Sequence, residues 1–456
     1  MGTRDVFRVS YLEELSLVYM HLLKVLFWCN QPAWALGVAE QAKARALSYQ
    51  LGAGGCNAET CNTFALGYTS DAHMCEGTCN AWWNDVAEMA CAEGRACTRG
   101  SATCIIEFSF DSENNFLAIW LLSGTGSLLC SSIQVDESLK PGGTIQQLLE
   151  EARMSMGVRG CDKCQSSPTE HGKEDDADQD DPSAERKKAE CEKCQLYLSQ
   201  CECEEVLLRK LYQLLIKPIE THLRMAGATE LLIIPHHKLW EVFWAGLVDD
   251  DGCYLIEHYV IRVASSLRVA RQVDDQRCQH YGENPGHVVV VGNPLPIQNV
   301  FKSLPCAEQE AIKVQNVLGG ANVAVLPENI FLSKHATKTR VKLALKGAHW
   351  LHFAGHCDMT TDSLVLAIPS DGSQEDIKNP NLSMHELQDR ENAEGVQLSI
   401  GATVVLSACD TGRARGGKIK AEGVVGLARN FQLANAAATV VTLCKVSCFT
   451  LYASND

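Results

Sequence analysis

The sequence predicts an α/β protein with a mainly parallel sheet flanked by helices, preceded by a short α-helical segment. From about residue 205, apolar runs of strand length alternate with helical stretches. Two of these runs, at 350–357 and 403–412, are apolar without alternation, which is typical of strands buried on both faces. Each of the two stops at a reactive side chain followed by turn-forming residues, which predicts a site at one edge of the sheet.

Composition indicates a globular protein with room for two or three domains. The chain has 456 residues, of which 46% are hydrophobic and 21% charged. Its net charge of -16 argues against nucleic acid or an anionic membrane as the main partner. The 22 cysteines are scattered and no secretory signal opens the chain, so we expect reduced thiols in the cytosol or nucleus. The apolar stretch 11–29 carries charged residues, which favours an amphipathic or buried helix over a membrane span.

Residues 1–55 are expected to be helical. The stretch 31–47 is rich in alanine, and its small residues at helical spacing allow close packing, as in helical-hairpin repeats. No full repeat can be laid out in this segment, so at most it keeps the last units of such an array. Residues 56–104 form a Cys-rich connecting segment with seven irregularly spaced cysteines, for which buried or reduced thiols are favoured over a zinc site.

Strands and a helix are predicted at 105–156. The runs 105–110, 116–122 and 128–135 read as a meander of strands, and residues 144–154 read as a helix. The α/β body is expected to begin here.

Residues 157–204 are predicted to form an acidic disordered insert, because they contain too few apolar side chains to offset the entropy of ordering. Cys161 and Cys164 form one Cys-x2-Cys pair, and Cys191 and Cys194 form a second. Paired knuckles of this kind can hold zinc, but 26 residues separate them, more than the usual spacing. These four cysteines are weak metal candidates, and no metal or cofactor is predicted.

Alternating helices and strands follow from 205 to 456. An amphipathic helix is predicted at 206–223, interrupted at Pro218, followed by a buried strand at 231–234. Further strands are predicted at 254–263 and 323–326.

The two buried runs end at His356 and Cys409. The carboxyl ends of parallel strands meet at one edge of a sheet, so the imidazole and the thiol are predicted to share a crevice. A histidine can lower the pKa of a neighbouring thiol and later protonate the leaving group, as in cysteine peptidases. Their order and 53-residue separation are those of caspase-type enzymes. Taken singly, each is more often a core residue; taken together, at matching strand ends, they favour catalysis.

Six short motifs between residues 233 and 429 resemble the CHAT domain, a caspase-like, separase-related domain that commonly follows tetratricopeptide repeats. The motifs are Ile233-Ile234-Pro235-His236, residues 251–257, Val291-Gly292-Asn293-Pro294, residues 350–357, residues 406–412 and residues 423–429. The resemblance implies a caspase-hemoglobinase-like fold, with 205–456 as the CHAT domain and 105–156 as its amino-terminal strands and helix. It also implies that the helical residues 1–55 are a tetratricopeptide-like remnant. It aligns His356 and Cys409 with the family's catalytic pair.

The family usually has glycine after its histidine, where a backbone N–H helps to hold the oxyanion. Here that residue is Cys357, and we expect Gly355, Cys357 and Asp410 to form the oxyanion and turn positions. Asp358 is a further candidate for orienting the histidine ring. The family's last helix is replaced by a different sequence, so a truncated carboxyl terminus is also expected.

These observations favour a cysteine endopeptidase that cleaves a protein or peptide substrate, with weak or absent turnover because of Cys357. The alternative is a catalytically silent scaffold that binds other proteins through its helical amino-terminal part.

Overall fold

A computed structural model describes residues 18–43, 47, 102–111, 116–123, 128–135, 145–155, 204–279, 287–295, 301–320, 325–358, 361–370, 377–383, 386–387, 395–409, 411 and 426–443. The Cys-rich segment up to residue 101, the insert at 157–203 with its four candidate zinc ligands, and Asp410 lie outside the described residues.

Two five-stranded sheets, rather than the single sheet expected from the sequence, organise the described chain. The first has the strand order β3-β2-β1-β4-β5. Its strands are β1 (Thr103–Asp111), β2 (Phe116–Ser123), β3 (Leu128–Val135), β4 (Glu230–Ile234) and β5 (Val260–Val263). β1, β2 and β3 form the predicted antiparallel meander, whereas β4 and β5 continue the sheet in parallel from β1. One sheet therefore contains strands from both sides of the predicted insert.

Helices cover both faces of the first sheet, which explains why β1 is buried over almost its whole length. Ile106, Phe108 and Phe110 of β1 contact one core, formed with helices α3, α4 and α5, whereas Ile105 contacts a second core with helices α1 and α2. These helices are α1 (residues 18–28), α2 (Pro32–Gln41), α3 (Ile145–Ser155), α4 (Glu204–Leu215) and α5 (Lys217–Met225). Pro218 lies in the first turn of α5, where its missing N–H costs no helical hydrogen bond, so the predicted interruption is confirmed.

A buried ionic cluster fixes the amino-terminal helical segment on this sheet. Lys43 donates hydrogen bonds to Glu107 at 2.8 Å and to the carbonyl oxygen of Phe108 at 2.7 Å. The side chains of Lys43 and Glu107 are 1% and 0% exposed. Glu40 accepts the backbone N–H of Leu267 with both carboxylate oxygens, each at 3.1 Å. Burial, and then the charge of Glu40, raise the pKa of Glu107 even though Lys43 opposes them.

The second sheet is entirely parallel and has the order β13-β12-β8-β6-β7. Its strands are β6 (His287–Gly292), β7 (Ile330–Leu332), β8 (Ala348–Ala354), β12 (Ala402–Ser407) and β13 (Ala436–Val440). Two helices, α6 (Leu255–His258) and α7 (Leu267–Gln279), come before this sheet in the chain. Three more connect its strands: α8 (Pro305–Gly320), α9 (Lys338–Leu345) and α10 (Leu427–Leu433). α8 packs on one face, whereas α9 and α10 pack on the other, which confirms the doubly wound arrangement.

Short elements complete the fold. β9 (Cys357–Asp358), β10 (Ser363–Leu364) and β11 (Leu382–Ser383) form a small antiparallel sheet beside the end of β8. Single 3-10 turns occur at His237–Glu241, Trp244–Gly246, Pro327–Asn329 and Ser333–His335. In the described part of the chain, no helix is long and apolar enough to cross a bilayer.

Two strand predictions are wrong in detail. The segment predicted as a strand at 254–263 begins with the helical turn α6, because Glu257 accepts the backbone N–H of Tyr254 and caps the turn; the strand starts at Val260. The first half of the strand predicted at 323–326 lies outside the described residues, and its second half, Val325 and Leu326, is not part of a strand. The strand of this region is β7, Ile330–Leu332, after a turn that begins at Pro327. Both segments are apolar enough for strands, and local turn chemistry decides their conformation.

Candidate active site

The parallel pairing of β8 with β12 places His356 and Cys409 at equivalent positions. Ala354 pairs with Ser407 at the end of the ladder, and each candidate residue follows two positions later. The backbone N–H of Gly355 still donates to the carbonyl oxygen of Ser407, at 3.3 Å. The segments that follow β8 and β12 therefore leave the sheet side by side, at the edge where α/β sheets carry their functional sites.

The imidazole of His356 is oriented by a backbone carbonyl. Its Nε2 atom lies 2.6 Å from the carbonyl oxygen of Lys302, and its ring centroid lies 5.1 Å from that of Phe301. A carbonyl oxygen accepts a hydrogen bond and cannot donate one, so Nε2 carries the proton in this arrangement. Nδ1 is then the basic nitrogen. A group that fixes the tautomer of a histidine in this way is a common companion of a general base.

Asn293 ties the segment containing Lys302 to the end of β8. Its backbone N–H donates to the carbonyl oxygen of Ala354 at 2.9 Å, and its side-chain oxygen accepts the N–H of Leu304 at 2.8 Å. Its amide nitrogen lies 3.2 Å from a carboxylate oxygen of Glu308, which also accepts the hydroxyl of Ser333 at 2.9 Å. Asn293 is buried and has a positive φ of 45°, a conformation that asparagine tolerates better than most residues. The segment that carries the Lys302 carbonyl is therefore attached, through Leu304 and Asn293, to the end of β8.

Threonine hydroxyls hold the turn after Cys409. The buried Thr411 hydroxyl lies 3.3 Å from the carbonyl oxygens of Leu406 and Ala408. It also accepts the backbone N–H of Thr442 at 3.1 Å, and the Thr442 hydroxyl donates to the carbonyl oxygen of Ala408. The half-buried Cys409 is thus attached to a turn whose backbone is fixed on both sides.

Gly355 is closely packed. A Cβ atom at this position would lie 3.0 Å from the ring of Phe353 and 3.2 Å from Pro294. These contacts are tighter than nine in ten real Cβ contacts, so the two neighbouring side chains would have to move by a few tenths of an ångström to admit a side chain here.

Cys357 lies in β9, opposite Leu364 of β10. The backbone N–H of Val365 donates to the carbonyl oxygen of His356 at 3.0 Å, which continues this pairing. Cys357 is absent from the described residues with positive φ, so its backbone conformation is one that any residue adopts. This position therefore does not need the dihedral angles that only glycine adopts easily. The difference between cysteine and glycine here is therefore the volume of the Cys357 side chain, which is half-buried and directly follows His356.

The other sequence candidates have different environments. Asp358, the candidate for orienting the histidine ring, accepts a hydrogen bond from Thr361 at 2.8 Å. The group that contacts the ring of His356 is instead the Lys302 carbonyl, which the sequence analysis did not predict. His236, at the end of β4, is buried with Nδ1 3.1 Å from the backbone nitrogen of Phe110. Burial, followed by the charge of Lys43, lowers the pKa of His236 to about 3, so it is a neutral core residue.

Together, the parallel sheet and the paired strand ends define a caspase-like α/β protein. The family model described as "CHAT domain" matches residues 205–448, more than half of the chain, and the chain belongs to this family.

The chain is similar to Tetratricopeptide repeat protein 28 from Homo sapiens, with 26% identity over 277 residues, which cover 52% of this chain and 11% of that protein. The Mus musculus protein of the same name is also 26% identical, over 275 residues and the same shares of each chain. The chain therefore spans about a ninth of the length of the curated relatives it matches.

Proposed function

We propose that this protein is a cysteine endopeptidase with Cys409 as nucleophile and His356 as general base and then general acid. The observation that supports this most strongly is the parallel register of β8 and β12, which delivers both residues to one edge of the sheet. The Lys302 carbonyl adds to it, because it holds the proton on Nε2 and leaves Nδ1 basic.

In the proposed reaction, Nδ1 of His356 takes the proton of the Cys409 thiol, and the thiolate attacks the scissile carbonyl carbon. The carbonyl oxygen becomes an oxyanion, held by backbone N–H groups that include those of Cys357 and Cys409. The imidazolium then protonates the amine as the C–N bond breaks, leaving a thioester on Cys409. Water, deprotonated by His356, hydrolyses that thioester and restores the thiol.

Turnover is proposed to be low because the Cys357 side chain occupies the position next to the oxyanion. Crowding of this kind is expected to cost up to about tenfold in turnover, or 1.4 kcal/mol. The backbone of β9 is unstrained at Cys357, so the side chain would act by crowding the substrate rather than by rotating the N–H.

An electrophilic peptide probe with a ketone warhead tests this proposal. Such a probe needs both the nucleophile and its base, so the wild-type chain should be labelled, and Cys409→Ala and His356→Ala should not. Cys306→Ala is the matched control, because Cys306 is also a half-buried thiol and lies in α8, which packs on the same sheet. Labelling that survives in Cys409→Ala would refute the assignment.

A second function, protein binding through the amino-terminal helices, is favoured by an exposed apolar stripe on α1. Val18, Leu22, Val25 and Trp28 are 64%, 45%, 46% and 79% exposed. Their spacing of three to four residues places them on one side of the helix. Exposed apolar stripes of this kind commonly mark protein contacts. If Cys409→Ala leaves binding to a protein partner intact and Val25→Ser with Trp28→Ser removes it, the chain acts as a scaffold.

A further inference from the structure

A carboxylate, a thiol and an imidazole meet in the turn between the 3-10 helices after β4 and strand β5. The ligand atoms of Asp249, Cys253 and His258 all lie within 4.8 Å of one another. Asp249 is buried, Cys253 half-buried and His258 exposed, so the cluster is closed on one side and open to solvent on the other. It is distant in sequence from His356 and Cys409, and the proposed peptidase reaction does not use it.

The backbone fixes the three side chains in place. Val248 and Tyr254 form an antiparallel bridge that closes the turn, and Gly252 allows the reversal with a φ of 86°. The helical turn α6 then brings His258 back over Asp249, with 2.9 Å between His258 Nε2 and an Asp249 carboxylate oxygen.

Hydrogen bonds orient the carboxylate. One oxygen of Asp249 accepts the backbone N–H groups of Asp251 at 2.9 Å and Cys253 at 2.8 Å. The other oxygen is the one that faces His258. A carboxylate held in this way by backbone donors, with its second oxygen directed at other ligands, has the outer contacts that metal ligands usually have.

The charges around the thiol favour a cation. The Cys253 thiol lies within reach of the negative charges of Asp249, Glu257 and Asp251. Asp250, the remaining acid of the turn, points instead to Gln213 and Lys217 on the neighbouring helices. A divalent cation bound in this turn would therefore be attracted by these carboxylates.

We propose that Asp249, Cys253 and His258 bind one Zn²⁺ ion. Zinc accepts sulfur, nitrogen and oxygen ligands together, whereas Ca²⁺ and Mg²⁺ prefer sites made of oxygen. A tetrahedral zinc holds its ligand atoms roughly 3–4 Å apart, so small side-chain rotations convert the observed cluster into a bound site. Three protein ligands leave a fourth position for water on the exposed side. Binding converts the Cys253 thiol to a thiolate and releases its proton to solvent. The proton that His258 Nε2 donates to Asp249 moves through solvent to Nδ1, which leaves Nε2 as the zinc ligand.

Zinc stoichiometry of the full chain tests this inference. The reduced protein is stripped with a chelator, titrated with Zn²⁺ and passed through a desalting column, and bound zinc per chain is measured by elemental mass spectrometry. Cys253→Ser and His258→Gln should each bind one zinc fewer than wild type. Cys306→Ser, which removes a half-buried thiol elsewhere, should bind as much as wild type. Other cysteines that take up zinc contribute equally to all four proteins and cancel in the comparison.

A second measurement covers the case in which Cys253→Ser folds poorly. The His258 side chain is 44% exposed, so His258→Gln should leave the fold intact. Because a ligand that binds the folded state stabilises it, Zn²⁺ should raise the Tm of wild type and Cys306→Ser more than that of His258→Gln. Equal zinc content in wild type and both ligand variants, or an equal rise in Tm for wild type and His258→Gln, would overturn the proposal.

Discussion

The carbonyl oxygen of Lys302 lies 2.6 Å from Nε2 of His356 and sets which ring nitrogen carries the proton. Lys302 belongs to the segment between β6 and α8, 54 positions before the histidine. The proposed activity therefore depends on a segment with no reactive side chain of its own, and on the residue that holds it, Asn293.

Replacing Asn293 tests this dependence. Asn293→Gly keeps the positive φ but removes the side-chain acceptor of the Leu304 N–H, so we expect kcat to fall about 10- to 100-fold, as for a misplaced general base. KM for the same peptide should change little, and the pH at which kcat rises should shift, because the Lys302 carbonyl no longer fixes the imidazole. Asn293→Asp keeps the acceptor but would put a carboxylate against Glu308, so it is combined with Glu308→Gln. The double variant should retain more of the activity than Asn293→Gly. If Asn293→Gly matches wild type in kcat and pH profile, the Lys302 contact does not position the base.

Cys357→Gly should raise turnover, because it removes a side chain next to the oxyanion position. The gain should be no more than about tenfold, or 1.4 kcal/mol, since the backbone of β9 is unstrained and only crowding is relieved. Cleavage of one fluorogenic peptide library by wild type, Cys357→Gly and Cys357→Gly with Cys409→Ala measures this. An unchanged rate in Cys357→Gly would show that the cysteine does not crowd the substrate.

Lys43→Met should destabilise the fold by about 3–5 kcal/mol, because it removes one partner of a fully buried ion pair. Lys43→Met with Glu107→Leu should recover part of that loss, since neither charge of the pair is left without its partner, whereas Glu40 stays buried beside them. The control is Glu205→Ala, which breaks an exposed pair with Arg209 and should cost less than about 1 kcal/mol. Urea unfolding gives all three values. A loss in Lys43→Met no larger than in the control would show that the amino-terminal segment is not anchored by this pair.

His236 should make the folded state sensitive to acid. Its pKa is lowered to about 3 in the folded protein, against about 6.5 for an ordinary histidine, so the folded state favours the neutral ring. Its contribution to the free energy of unfolding is therefore complete above about pH 6.5, and falls by roughly 1.4 kcal/mol per pH unit as the pH drops towards 3.

The variant His236→Asn keeps an acceptor for the Phe110 N–H but does not titrate in this range. The difference in unfolding free energy between wild type and His236→Asn should shrink from pH 6.5 to 4. Leu239→Ala, a fully buried apolar change nearby, should differ from wild type by the same amount at every pH. A difference for His236→Asn that is equally flat would contradict the buried neutral histidine.

The pairing of His356 with Cys409 could be predicted from the sequence because each residue ends an apolar run, and parallel strands bring such ends together. The break at Pro218 could be predicted because proline has a fixed effect on helices. The division into two sheets could not be predicted, since strand length and polarity do not specify which strands pair. The role of the Lys302 carbonyl could not be predicted either, because every residue has a backbone oxygen and the residue type does not reveal which one contacts the histidine.

The candidate zinc cluster could not be predicted from the sequence either. The run 249–252 indicates a turn, and a thiol or imidazole a few positions further on has many unrelated explanations. The helical turn α6, in place of an extended strand, brings His258 over Asp249. Glu257 caps that turn in the structure, but the sequence of this segment is equally compatible with a strand.

The most direct measurement of the central claim is the alkylation rate of Cys409 under limiting iodoacetamide at neutral pH, followed by mass-spectrometric peptide mapping. If His356 activates it, Cys409 should react before the other thiols of the chain, including the exposed Cys29, and His356→Ala should slow its alkylation at least about tenfold without changing that of Cys29. Faster labelling of Cys29 with Cys409 inert, or an unchanged rate at Cys409 in His356→Ala, would contradict the proposed pair.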